Sequence, residues 1–151
     1  MRNSSRRNKK KKNSVSSFNY ALRLLSRRDY SIYELKEKLK KKYDEKEIED
    51  TIEKLLEREL LNDMRYAERI IRKYAFIKKY GYLKVLDELS KRGLKQNAVR
   101  ELLDSLYSED KEKGNAFSLI SKRPPDKIGN YLLSKGYRSH IVREVLAELK
   151  Q

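Results

Sequence analysis

The sequence predicts an all-α fold of three tandem three-helix, helix-turn-helix-like repeats joined into an elongated, curved array. Three observations carry this expectation. Apolar residues recur at helical spacing from Phe18 onward, and no segment alternates with period two for the length of a strand. Five glycines and two prolines leave long stretches free of helix breakers. The apolar pattern, together with its turns, repeats along the chain.

The elements follow in order. Residues 1–17 hold Ser, Asn, Arg and Lys with almost nothing to bury, and read as a disordered basic arm. Nine helices are then expected, over 18–28, 31–42, 45–60, 63–79, 82–92, 96–107, 110–122, 125–135 and 138–150. Ser31 with Glu34, and Asp44 with Glu47, have the spacing at which a cap and a third-residue acid satisfy free backbone amides reciprocally. Asn62 and Asp63 suit the start of the fourth helix. Pro124 and Pro125 suit a first turn, where a missing amide costs nothing. Gly93 and Gly136 suit helix ends that need a left-handed residue.

The helices group in threes: 18–61, 62–107 and 108–151. In the last helix of each group, Ile48, Thr51, Ile52 and Leu55 match Val99, Leu102, Leu103 and Leu106, and again Val142, Val145, Leu146 and Leu149. The turns before them match as Lys42-Tyr43, Gly93-Leu94 and Gly136-Tyr137. A unit of this size has a thin core and gains by packing on neighbours. The competing arrangement is one compact bundle in which the repeat is an echo. Gly129 stands where the other groups have Leu35 and Leu86, so a looser third group is expected.

Formal net charge is +15, and seven of the 38 Lys and Arg lie in the first seventeen residues with no acid among them. The remainder is still at +8, so the body is basic in its own right. Such a chain meets phosphate, an acidic membrane surface or an acidic protein. Without cysteine there is no disulfide frame and no thiol chemistry. No apolar run approaches the ~18 residues of a membrane span, and the basic start runs into polar residues rather than an apolar signal core. A soluble cytoplasmic protein without a membrane partner is expected.

The stretch Leu60-Leu61-Asn62-Asp63-Met64-Arg65-Tyr66-Ala67-Glu68 resembles the characteristic segment of the RecX family, where an apolar pair, a short acidic cap and Arg-Tyr-Ala open the second repeat. Lys79-Tyr80-Gly81-Tyr82-Leu83-Lys84-Val85-Leu86-Asp87-Glu88-Leu89, followed by Lys91-Arg92-Gly93-Leu94, fits the same family. So does Ala21 to Arg28 with Ser31, Glu34, Leu35, Lys38 and Leu39. The motif residues are Asp63, Arg65, Tyr66, Ala67, Gly81, Glu88, Leu89 and Gly93, and the resemblance spans residues 18 to 149. Lys42 in place of Gly, Gly129 and the basic arm depart from the pattern. The resemblance implies a monomeric, non-enzymatic regulator without a cofactor. It implies a protein that lies in the groove of the RecA recombinase filament on single-stranded DNA. There it lowers RecA's ATPase, strand exchange and coprotease activities in recombination, repair and the SOS response.

Several residues are candidates for contact with RecA or with single-stranded or duplex DNA. Arg65, Arg69, Arg72 and Lys73 share one face of the fourth helix, opposite Ala67, Ile70, Ile71 and Tyr74. They read as a basic stripe for phosphate or acidic protein, or as a solvated face in which Glu68 pairs with Arg72. Lys78, Lys79 and Lys84 flank Tyr80-Gly81-Tyr82, whose rings either stack on unpaired bases or anchor a helix junction. In the second helix Lys36, Lys38, Lys40, Lys41 and Lys42 outnumber Glu34 and Glu37, with Glu34–Lys38 and Glu37–Lys41 as expected pairs. The arm adds charge for roughly seven phosphates and no sequence readout.

Catalysis is not expected. His140 is the sole histidine, placed away from any obvious acid cluster, and no metal motif or Gly-rich phosphate loop is present. Two other functions fit parts of the sequence: a helix-turn-helix-like reader of duplex DNA, and an RNA- or ribosome-associated protein using its basic surface and arm. The first needs a base-reading helix, whereas the third helix carries Glu45, Glu47, Glu49, Asp50, Glu53, Glu57 and Glu59.

Overall fold

A computed structural model describes residues 15–151, and the basic arm's residues 1–14 lie outside the described residues. The described part of the arm differs from expectation. Ser16 caps the first helix, Ser17 is its buried first residue, and the Tyr43 hydroxyl donates to the Val15 carbonyl at 2.7 Å. The helical chain therefore starts before Phe18.

Among the described residues there are nine α-helices, one π-helical turn and no strand. They are α1 Ser17–Arg27, α2 Ile32–Leu39, α3 Glu45–Glu57, α4 Asp63–Ile71 followed by the π turn Arg72–Ile77, α5 Tyr82–Lys91, α6 Asn97–Leu106, α7 Glu109–Ile120, α8 Pro125–Ser134 and α9 Ser139–Leu149. No described helix is long and apolar enough to cross a membrane. The chain divides into two compact units, residues 1–66 and 67–151, with the division inside α4.

In the first unit, α1, α2 and α3 close on Ala21, Leu35, Leu39, Ile48, Ile52 and Leu55, and Tyr30, Tyr43 and Leu61 are buried in the same core. Leu35, Leu39 and Leu55 are wholly buried, each contributing about 1.5–3 kcal/mol. Both bonds of the Ser31–Glu34 capping box are present, at 3.0 Å each. The Asp44–Glu47 box is only half made. Asp44 accepts from the Glu47 amide at 2.9 Å, but the Glu47 carboxylate turns to the Ser17 amide at 3.3 Å and ties α3 to the start of α1. Helix α2 stops at Leu39, short of the expected Lys42. The Lys42 and Tyr43 amides both return to the Leu39 carbonyl at 3.0 Å, closing the turn without a left-handed residue, so no glycine is needed there.

In the second unit, α7, α8 and α9 enclose Ala116, Ile120, Ile128, Leu132, Tyr137, Ile141, Val142 and Val145. Helices α5 and α8 end alike. Gly93 (φ 74°) and Gly136 (φ 90°) are left-handed, and the Leu94 and Tyr137 amides reach back to Leu89 and Leu132. This is the glycine-terminated helix end that the sequence predicts. Pro125 opens α8 as expected. Of the twelve positions matched between final helices, all are buried or half-buried except Leu149, which is 49 % exposed.

The two interior glycines of this unit do not hold open a gap. A Cβ on Gly129 would meet Leu146 Cδ1 at an ordinary 3.5 Å, and one on Gly114 in α7 would meet nothing within 4 Å. Gly114→Ala and Gly129→Ala are therefore expected to stabilise the protein by about 0.5–1 kcal/mol each through helix propensity. Thermal unfolding followed by circular dichroism checks this; a fall in Tm would show crowding that the geometry does not contain.

Candidate functional site

Helix α4 sorts its residues by burial. Asn62 accepts from the Arg65 amide at 3.1 Å and starts the helix. Tyr66, Ala67, Ile70 and Ile71 are buried, while Arg65, Arg69, Arg72 and Lys73 are exposed. Arg65 donates from Nη2 to the Glu59 carbonyl at 3.4 Å. Arg72 Nε lies 3.7 Å from Glu68 Oε2, the expected helix pair. Both partners are about half exposed, so the pair is worth a few tenths of a kcal/mol and leaves the guanidinium available.

The sequence predicts an uninterrupted helix to residue 79; instead the backbone widens into the π turn. The Lys78 amide bonds to the Lys73 carbonyl at 2.9 Å and the Tyr80 amide to the Tyr74 carbonyl at 2.8 Å. Lys79 then takes a left-handed conformation, φ 57°, uncommon for a residue with a side chain. The widened turn brings Tyr74 and Tyr80 into a stack, ring centres 5.6 Å apart and planes 25° apart. Side chains from the residue that ends α6, from α7 and from the turn after α8 fix this backbone. Tyr107 donates to the Tyr80 carbonyl at 2.6 Å, Tyr137 to the Lys79 carbonyl at 2.7 Å, and Asn115 to the Ala75 carbonyl at 2.7 Å. Burial pushes the Tyr107 hydroxyl up to about 12 and the Tyr137 hydroxyl above its ordinary range, so both remain donors near neutrality.

The two tyrosines around Gly81 have different roles. Tyr82 is buried, donates to Asp104 Oδ1 at 2.5 Å, accepts from Arg100 Nε at 3.0 Å, and lies under the Arg138 guanidinium at 4.0 Å. It anchors a helix junction and is not available for stacking. Tyr80 is only partly buried, with the Lys84 ammonium 4.3 Å from its ring centre. Lys78 is exposed, and Lys79 Nζ donates to Ser118 Oγ at 3.0 Å.

Behind this surface stands a carboxylate that sequence reasoning passed over. Glu112 is wholly buried. Its Oε2 accepts from the backbone amides of Tyr82 at 2.9 Å and Arg138 at 3.2 Å. Its Oε1 accepts from Arg138 Nε at 2.8 Å and Nη2 at 2.7 Å. One side chain on α7 thus joins the starts of α5 and α9. The only sequence signal was an acid on the otherwise apolar side of α7, four residues before Ala116.

The lysines of the second helix lie in the first unit. Lys38 and Lys41 are exposed, and the exposed Lys42 holds its ammonium 4.3 Å from the Tyr20 ring centre. The expected pairs are replaced: Glu34 binds Arg28 at 3.5 Å, and Glu37 binds Lys40 at 2.9 Å, because the shorter helix puts Lys41 beyond its end. His140 is not apart from acids, since its Nε2 lies 2.7 Å from Glu109 Oε1.

The motif residues are mostly structural. Asp63 Oδ1 accepts from the Ile32 amide at 2.9 Å. Tyr66, Ala67, Gly81 and Leu89 are buried, and Gly93 ends its helix. Desolvation acts to raise the Glu88 carboxyl, but bonds from Arg92 at 3.1 Å and Lys91 at 3.3 Å outweigh it and hold the group below its usual range. Arg65 alone among them is exposed.

Comparison with known proteins agrees with this frame. The family model described as the first three-helix domain of RecX matches residues 18–55. The regulatory protein RecX of Halalkalibacterium halodurans is 32% identical over 87% of this chain, which spans 54% of that relative's length. The regulatory protein RecX of Legionella pneumophila (strain Corby) is 30% identical over 88% of this chain and 94% of the relative. The crystal structure of RecX from Lactobacillus salivarius superposes with a TM-score of 0.76 at 27% identity, covering 89% of this chain and 94% of that one. With most of a relative's length matched at 30% identity, the chain belongs to the RecX family of regulatory proteins.

Proposed function

We propose that this chain is a non-enzymatic cytoplasmic regulator of RecA. It binds the RecA filament on single-stranded DNA as a monomer, and lowers ATP hydrolysis, strand exchange and coprotease activity. The observation that carries the reading is the division of α4, with Arg65, Arg69, Arg72 and Lys73 exposed and Ala67, Ile70 and Ile71 buried. A filament of protein and DNA offers both phosphate and acidic side chains to such a face. Lys78, Lys84, Lys38, Lys41 and Lys42 are further contacts in this reading, and the basic arm adds charge without sequence preference.

We further propose that the working modules are three repeats, residues 18–61, 62–107 and 108–151. Two features support this. The matched turn residues Tyr43, Leu94 and Tyr137 are all buried. An acid from the first helix of a following group caps the second helix of the preceding one twice over: Asp63 accepts from Ile32, and Glu112 from Tyr82. Sequence-specific readout of duplex DNA is disfavoured by the exposed Glu45, Glu49, Asp50, Glu53 and Glu57 of α3, which phosphate would repel.

Charge reversal tests the stripe. Arg65→Glu together with Arg69→Glu is expected to raise the concentration needed to halve RecA strand exchange by about tenfold, with helical content unchanged. Equal inhibition by the native and reversed chains would discard α4 as the contact.

A further inference from the structure

Helix α3 carries six acids against two lysines, the largest acidic excess of any described helix, in a chain whose formal net charge is +15. Glu45, Glu49, Glu53 and Glu57 follow one another at four-residue steps and so form a row along the helix, with Asp50 beside it. All five are exposed. Among the described residues none of the five stands in an ion pair, although Glu34, Glu37, Glu68 and Asp87 on other helices each do. The other side of α3 is packed into the core through Ile48, Ile52 and Leu55. The row is a charged helix face without a partner.

We propose that this face is the seat of the chain's own basic arm, an autoinhibitory contact that holds residues 1–14 along α3 until a denser polyanion displaces it. Charge and position both fit. Residues 1–14 hold seven Arg and Lys and no acid, against five exposed carboxylates. The Tyr43 hydroxyl, next to the cap of α3, holds the Val15 carbonyl, and Glu47 in the first turn of α3 holds the Ser17 amide. The arm therefore joins the fold beside the first turn of α3. A segment of that length reaches up to about 46 Å and α3 is about 20 Å long, so the arm can follow the whole row.

Two further features of the same junction point to an occupant. Ser17 Oγ is wholly buried and has no hydrogen-bond partner among the described residues. Buried hydroxyls are nearly always bonded, and the adjoining arm is the nearest source of a polar group. A groove of about 490 Å³ opens between α2 and α3, with Tyr43 and Ile48 in its lining, Glu45 and Glu49 on the α3 side and Lys36 and Lys40 on the other. The ring and the isoleucine suit the apolar stems of lysine and arginine, and the carboxylates suit their charged heads. Each exposed pair is weak and screened by salt. Tethering compensates, because a joined segment meets α3 at a local concentration on the order of millimolar. The contact is thus populated yet exchangeable, and α3 governs when the arm's charge is available. It belongs to the free chain and needs no RecA, so its failure would leave the reading of α4 intact.

The test is paramagnetic broadening in the full chain, which has no cysteine of its own. A nitroxide is attached at Asn8→Cys, and the amide signals of the isotope-labelled protein are read. At low salt the amides of Glu49, Glu53 and Glu57 are expected to lose about half their intensity or more, and to recover at about 0.5 M salt, where the Debye length is about 4 Å. Glu49→Lys with Glu53→Lys is expected to give the high-salt profile already at low salt, with circular dichroism confirming the fold. Inorganic polyphosphate added to the native sequence is expected to do the same. Coincident low-salt and high-salt profiles would overturn the proposal, and that comparison needs no change in α3. Broadening that survives charge reversal or an excess of polyphosphate would overturn it equally. A mixed sample, with the nitroxide on one chain and the isotope on another, separates the remaining occupant. Broadening of α3 there would mean the arm of a second copy and would overturn the contact within one chain.

Discussion

Gly81→Ala is expected to prevent the second unit from reaching its native packing, at a cost above about 4 kcal/mol. A Cβ at Gly81 would stand 2.1 Å from the Tyr137 nitrogen and 2.3 Å from the Gly136 carbonyl carbon. These are backbone atoms and have no rotamer by which to escape. The two strands of chain are also bonded there, Gly81 amide to Lys135 carbonyl and Leu83 amide to Gly136 carbonyl, both at 2.9 Å. Separation to admit a methyl group would break both bonds and withdraw Tyr137 from its buried site. Gly136 faces the same contact from the other side: it is left-handed, and a Cβ on it would lie 2.4 Å from Lys84 Cβ. Urea unfolding of Gly81→Ala against Gly114→Ala measures the difference. Similar midpoints for the two variants would mean that the helices do not approach as closely as described.

Glu112→Ala is the second large effect. The substitution strands the Tyr82 and Arg138 amides and leaves the Arg138 guanidinium, whose side chain is only 21 % exposed, without its counter-charge. Breaking a buried, hydrogen-bonded ion pair from one side costs about 3–5 kcal/mol. For a chain of this length that lowers Tm by roughly 10 °C. Glu112→Gln keeps an acceptor for one amide and is expected to lose about half as much. Hydrogen exchange locates the damage, with faster exchange expected at the first turns of α5 and α9. If Glu112→Ala melts with the native protein, the carboxylate is not holding the two helix starts together.

How much of this was legible in the sequence depended on whether the signal was local. The nine helices follow from apolar period and caps, because Ser31 with Glu34, Asn62 and Pro125 act on residues beside them. The glycine-terminated ends at Gly93 and Gly136 were readable for the same reason. Helix ends without such marks were placed too late: α2 stops at Leu39 rather than Lys42, and α3 at Glu57, with a left-handed Glu59 closing it. The π turn left no trace in the sequence, since it is held by Tyr107, Asn115 and Tyr137 from distant segments. The sequence does not single out Glu112, because burial of a charge depends on partners such as Arg138, twenty-six residues away. The exposed stripe of α4 was visible, as its spacing alone decides which residues face the core.

The contact proposed for the basic face of α4 requires that the protein act on the recombinase. The direct measurement is ATP hydrolysis by RecA on single-stranded DNA, with the native chain titrated against the filament. The rate is expected to fall progressively and to be largely lost once the chain matches RecA in concentration. A rate that stays level through an excess of the protein, under conditions where RecA is active and the chain is folded, would contradict regulation of RecA by this chain.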